Sequence, residues 1–105
     1  MKTVEGLMAD VVRRLHNELN MDVRFTTVPR TVISEDQQIF TDDVEIDGVL
    51  YEETLAGFYM NDVVYLNKRY ATSFTMAHEL CHHILRSNGI LLDIATEEAI
   101  CDIFG

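Results

Sequence analysis

Apolar residues along the first stretch of the chain recur at three- and four-residue steps. Val4, Leu7, Met8, Val11, Val12, Leu15 and Leu19 form one stripe, with Asp10, Arg13, Arg14, Asn17 and Glu18 off it. The spacing predicts an N-terminal amphipathic helix, with His16 as a surface or boundary residue at the stripe's edge. After Asn20 the period changes. Residues 23–28 are β-branched and aromatic and are followed by Pro29, which predicts a first strand closed by that proline. Short strands at 44–46 and 49–51 flank Asp47-Gly48, a hairpin signal, and a second hairpin is predicted where 55–60 and 63–66 flank Asn61-Asp62. Thr72-Ser73 are natural helix-start residues, so a helix is expected over 73–86, stopping near Asn88-Gly89. A last helix begins between Asp93 and Thr96. The layout predicts one α+β domain over residues 1–105. Its parts are an N-terminal helix, a small and mostly antiparallel twisted sheet of three to five strands, and two later helices covering one face.

Composition narrows the classes. With 105 residues, 48% hydrophobic and 25% charged, the chain can bury a modest single core and is not disordered as a whole. Eighteen Asp+Glu against eight Lys+Arg leave a net charge of −10, which repels phosphate backbones and argues against direct nucleic-acid binding. Between Glu35 and Glu53 eight carboxylates face only Arg30 nearby, as either a solvated excursion or an acidic docking surface for a basic partner. No apolar run approaches the ~18 residues of a membrane span. The start, Met1 to Gly6, has no apolar leader segment. Cys81 and Cys101 are too few for a disulfide framework, so a reducing cytoplasm is the expected address.

The candidate chemistry lies at His78-Glu79-Leu80-Cys81-His82. Histidines four apart on a helix project about 40° apart at roughly 100° per residue, so both imidazoles can reach one metal ion. Glu79 stands roughly 80° round from that pair, placed to take a proton from a water rather than to be an equal ligand. A zinc site of this kind needs a third protein ligand and one open position. Glu98 and Asp102, four apart on the last helix, supply a third ligand and an acceptor that orients a ligating histidine. Glu97 is a rival ligand that spacing does not exclude. Phe74, Ala77, Leu80, Cys81, Ile84 and Leu85 share an apolar arc beside the histidines, which reads Cys81 as a small buried residue, and Cys101, near Glu98 on the last helix, is read the same way. His83 falls roughly 120° from the ligand pair and is expected exposed. Tyr59, Tyr65 and Tyr70 are read as packing residues rather than oxyanion donors.

The string from Leu55 to Asn67 leading into Ser73-Phe74-Thr75-Met76-Ala77-His78-Glu79-Leu80-Cys81-His82-His83 resembles the ImmA/IrrE-type metallopeptidases. Glu98 to Gly105 matches that family's later Glu-x-x-Ala-Asn-x-Phe-Ala helix loosely, with Cys101 for Ala, Asp102 for Asn and Gly105 for Ala. Cys81 stands where a Gly or other small residue is usual, and the chain stops at Gly105 where the family continues with further helices, as in a short member. The resemblance implies a zinc-dependent cytoplasmic endopeptidase of gluzincin type, with His78, His82 and Glu98 as ligands and Glu79 as general base. It also implies a protein substrate, a basic helix-turn-helix DNA-binding repressor of the kind found in mobile elements, phage or stress responses. Two other readings are a non-hydrolytic, antirepressor-like zinc-binding interaction module and a structural zinc domain. Glu79 argues against the last, because a structural site has no use for a base.

Overall fold

The computed structural model describes residues 3–105; Met1 and Lys2, part of the segment read for a leader, lie outside them. Helix α1 (Val4–Leu19) starts where the Thr3 hydroxyl accepts from the Gly6 amide, and ends at Asn20 in the left-handed region, φ 52°. Its apolar stripe is the buried one, with Met8, Val11 and Leu15 inside. There follow β1 (Arg30–Ser34), a 3₁₀ turn (Gln37–Phe40), β2 (Thr41–Ile46), β3 (Val49–Thr54), β4 (Gly57–Met60), β5 (Val63–Asn67), α2 (Ser73–Ser87) and α3 (Ile94–Cys101). This is the α+β layout expected. Both hairpins turn where predicted, through positive φ at Asp47 and Gly48 and at Asn61 and Asp62.

Two expectations are corrected. The strand expected at 23–28 forms instead at Arg30–Ser34, because the earlier segment's backbone is satisfied by side chains. His16 Nε2 lies 2.7 Å from the Val23 carbonyl, Asn88 brackets the Arg24 amide and carbonyl, and His83 Nε2 lies 2.6 Å from the Thr27 carbonyl. Pro29 therefore precedes a strand rather than closing one. The strands also divide into two sheets. In the first, β5 is central, parallel to β1 (Arg30↔Val63 to Ser34↔Asn67) and antiparallel to β4 (Gly57↔Leu66 to Met60↔Val63). In the second, among the described residues, β2 and β3 pair only with each other, Thr41↔Thr54 through Ile46↔Val49. Buried Phe40 anchors the foot of that ribbon, its carbonyl accepting from the Leu55 amide at 2.7 Å.

Helix α2 is the centre of the core. It packs on α1, β4, β5 and α3, burying Leu80, Cys81, Ile84 and Leu85 against Met8, Val11, Leu15, Val64, Cys101 and Phe104. Phe74, at its first turn, belongs to the predicted apolar arc but is 68% exposed, short of the neighbours that cover the later turns. Close approach of α2 to β4 requires Gly57: a Cβ there would lie 2.8 Å from the Tyr65 carbonyl oxygen and 2.9 Å from Thr75 Cγ2. Among the described residues no helix is long and apolar enough to cross a membrane.

Candidate metal centre

The first turn of α2 is locked by a reciprocal cap between Thr72 and Thr75, each side chain bonding the other's backbone amide. One turn on, His78 and His82 project toward α3, with their Nε2 atoms 3.2 Å apart. Glu98 on α3 meets both: Oε2 is 3.3 Å from His78 Nε2 and Oε1 is 2.8 Å from His82 Nε2. Donor atoms about 2.0–2.2 Å from a tetrahedral zinc lie roughly 3.3–3.5 Å from one another. Glu98 meets the two imidazoles through different oxygens, so the three side chains converge at about the spacing of zinc ligands, and two imidazoles with one carboxylate are a donor set that suits the ion.

The far sides of the rings are held as well. His82 Nδ1 donates to Glu97 Oε2 at 2.5 Å, and His78 Nδ1 lies 3.3 Å from Asp102 Oδ1. A proton held on Nδ1 leaves the Nε2 lone pair facing the triangle. Glu97 is itself gripped by Arg86, whose guanidinium donates to Oε2 at 3.0 Å. Glu97 is buried behind His82, whereas Glu98 is half exposed on the open side. The two adjacent glutamates, which spacing leaves as rivals, are therefore divided: Glu97 stands behind His82, and Glu98 faces both imidazoles. Burial works against charge on both His82 and Glu97. For His82, Cys101, Glu97 and Glu98 outweigh burial and push the imidazole up to about 9. For Glu97, Arg86 and His82 outweigh it and hold the carboxyl below its usual range.

Glu79 is buried, and among the described residues no hydrogen bond reaches its carboxylate. It lies beside the two histidines, with donor atoms of all three within 4.8 Å of one another. Burial raises its pKa to about 7, an effect that His82 opposes and Glu98 reinforces. A cleft of about 270 Å³ opens here between β4 and α2, lined by Gly57, Phe58, Tyr59, Glu79 and Arg86 as well as the triangle. A second cleft shares His78 and Glu79 and runs past Asp102 to Glu53 at the foot of the β2–β3 ribbon.

Two tyrosines are packed as expected, and two other side chains depart from the sequence reading. Tyr65 stacks on Phe58 with ring centroids 4.6 Å apart, while the Tyr59 hydroxyl donates to Asp62 at 2.9 Å and lies 2.8 Å from His83 Nδ1. Tyr70 is exposed, not packed. His83, expected exposed, is buried: the 23–28 segment and β4 close over it, engaging both ring nitrogens. Cys81 and Cys101 are free thiols, fully buried. Sequence reasoning did not anticipate Arg86 or the Arg86–Glu97–His82 chain, although Arg86, four residues after His82, shares its helix face. Comparison with protein-family models, with curated proteins and with solved structures returns no match to this chain.

Proposed function

We propose that the chain is a zinc-dependent endopeptidase that hydrolyses a peptide bond in a basic cytoplasmic protein, of the kind exemplified by a helix-turn-helix repressor. The observation that carries this reading is the triangle of His78, His82 and Glu98, with each imidazole backed on Nδ1 by a carboxylate and with Glu79 at its side. When bound, zinc supplies a Lewis acid that brings the pKa of water near neutrality. Glu79 takes the proton of the attacking water and returns it to the leaving amine nitrogen as the C–N bond breaks. Burial pushes the Glu79 carboxyl up in the metal-free protein, and a bound cation would draw it back toward the ionised form that accepts a proton. Glu97 keeps the His82 ring proton on Nδ1, and Asp102 stands 3.3 Å from Nδ1 of His78. The open side at Glu98 and the Gly57 end of β4 admit the chain to be cut.

Metal analysis and a cleavage assay test the proposal together. The purified protein should carry about one zinc per chain, and His78→Ala or Glu98→Ala should lose it. Full zinc occupancy in His78→Ala would remove the site assignment. A second reading, a zinc-binding interaction module without hydrolysis, is favoured by the uncovered β2–β3 ribbon; wild-type protein that holds zinc and binds a verified partner without cutting it would establish that reading.

A further inference from the structure

The β2–β3 ribbon is two-faced. Cross-strand partners share a face and successive pairs alternate, so Val44↔Tyr51 and Ile46↔Val49 lie on one side with Asp42↔Glu53 at its foot. The other side carries Asp43↔Glu52, Glu45↔Leu50 and Thr41↔Thr54. Among the described residues this apolar side is largely uncovered: Ile46, Val49 and Tyr51 are 54%, 52% and 53% exposed, with Val44 half-buried at its centre. A two-stranded ribbon is marginal in water by itself, and this one also sets like charges directly opposite each other at two pairs, which weakens it. Six carboxylates and no cation lie between Thr41 and Thr54.

We infer that this apolar face, with Asp42 and Glu53 at its foot, is a docking arm for a basic protein segment carrying alternating apolar side chains. Apolar partners would cover Val44, Ile46, Val49 and Tyr51, while the alternating Lys or Arg side chains would lie in the field of the six ribbon carboxylates and draw the segment in through charge. A second copy of this chain is a poor occupant, since face-to-face ribbons would double the carboxylates in one contact. Continuity gives the arm its direction. Glu53 borders the cleft that also holds His78 and Glu79, so a segment seated on the arm leads to the metal centre. That the segment is a substrate rests on the peptidase reading; that it binds does not.

The test measures fluorescence anisotropy of short labelled peptides with the full chain as purified. One peptide alternates Lys and Leu, a second Lys and Ser, and a third Glu and Leu. The Lys–Leu peptide should bind at least about tenfold more tightly than either other. Val49→Ser with Tyr51→Ser, both at exposed positions, should weaken it about tenfold. Asp42→Asn with Glu53→Gln should weaken it several-fold and flatten its dependence on salt from about 50 to 500 mM. Neutralising the distant Glu5 and Asp22 should change little. Equal loss from that distant pair, or no loss in the ribbon variants, would overturn the inference. So would a dimer in sedimentation that Tyr51→Ser disperses, because the face would then belong to a second copy. Zinc content is read in parallel. Its absence from wild type would end the peptidase reading while leaving the ribbon result standing.

Discussion

Single side chains divide the roles at the candidate metal centre, and each division can be measured. Glu79→Gln keeps shape and hydrogen-bonding capacity but cannot accept a proton near neutrality, so zinc and fold should remain while cleavage falls about 10²–10⁴-fold or more. Cleavage at the wild-type rate would remove Glu79 from the base role. Adjacent Glu97 and Glu98 should behave differently. Glu98→Ala takes away a donor of the triangle and should abolish tight zinc binding. Glu97→Gln leaves the triangle intact but weakens the hold on His82, and should cost about 10–100-fold in zinc affinity. Equal effects from both would contradict the geometry. Protonation adds a signed expectation for the metal-free protein. The folded His82 pKa is raised from 6.5 to about 9, so its stabilising contribution is full below 6.5 and is lost as pH rises through 9. Glu79, raised from 4.5 to about 7, acts in the same direction at the lower end, because its buried charge costs stability once formed. The thermal midpoint in chelator should therefore fall between about pH 6.5 and 9, while zinc affinity climbs as the competing proton leaves His82. A midpoint that rises through that window would refute the assignment.

At the scale of elements, α2 acts as the rigid bar on which the site is mounted. Its start depends on the Thr72–Thr75 reciprocal cap, so Thr72→Ala should cost about 1 kcal/mol of stability by denaturant titration. Its distance from the sheet depends on Gly57. The Cβ of Gly57→Ala would meet the Tyr65 carbonyl oxygen at 2.8 Å and Thr75 Cγ2 at 2.9 Å, so β4 and α2 must part. A cost of about 1–3 kcal/mol is expected, with weaker zinc retention as the cleft wall shifts. An unchanged midpoint in Gly57→Ala would show that the contact yields without strain. The hairpin turns and the starts of the last two helices were legible in the chain because each is local chemistry, whereas the Thr3 cap of α1 was not picked out. Asp47-Gly48 and Asn61-Asp62 adopt positive φ on their own account, and Asp93 caps α3 by accepting from the Thr96 amide. The first strand was not legible in this way. Residues 23–28 have strand composition, but a strand needs a ladder partner, and β5 pairs with 30–34 instead.

Across the whole molecule, one buried helix joins a small mixed sheet on one side to two further helices, and an uncovered ribbon reaches out from its foot. The 23–28 segment is strapped to the end of α2 by Asn88, which accepts from the Arg24 amide at 2.9 Å and donates to the Arg24 and Ile84 carbonyls. Asn88→Ala leaves those backbone groups to water or unpaired. It should cost about 1–3 kcal/mol and increase amide exchange over 23–28, with the ribbon unaffected. Matched exchange at both places would mean that the two regions open together. The sequence by itself determined the α+β order, the two tight turns, the three helices, and the placing of His78, Glu79 and His82 on one helix, because periodicity and capping act over a few residues. Only the tertiary structure decided that Glu98 faces both imidazoles while Glu97 stands behind His82 with Arg86, that His83 is enclosed, and that β2 and β3 leave the main sheet. Neighbours in sequence such as Glu97 and Glu98 have equal chemistry; what separates them is which side of α3 meets α2, and helix packing across the core sets that.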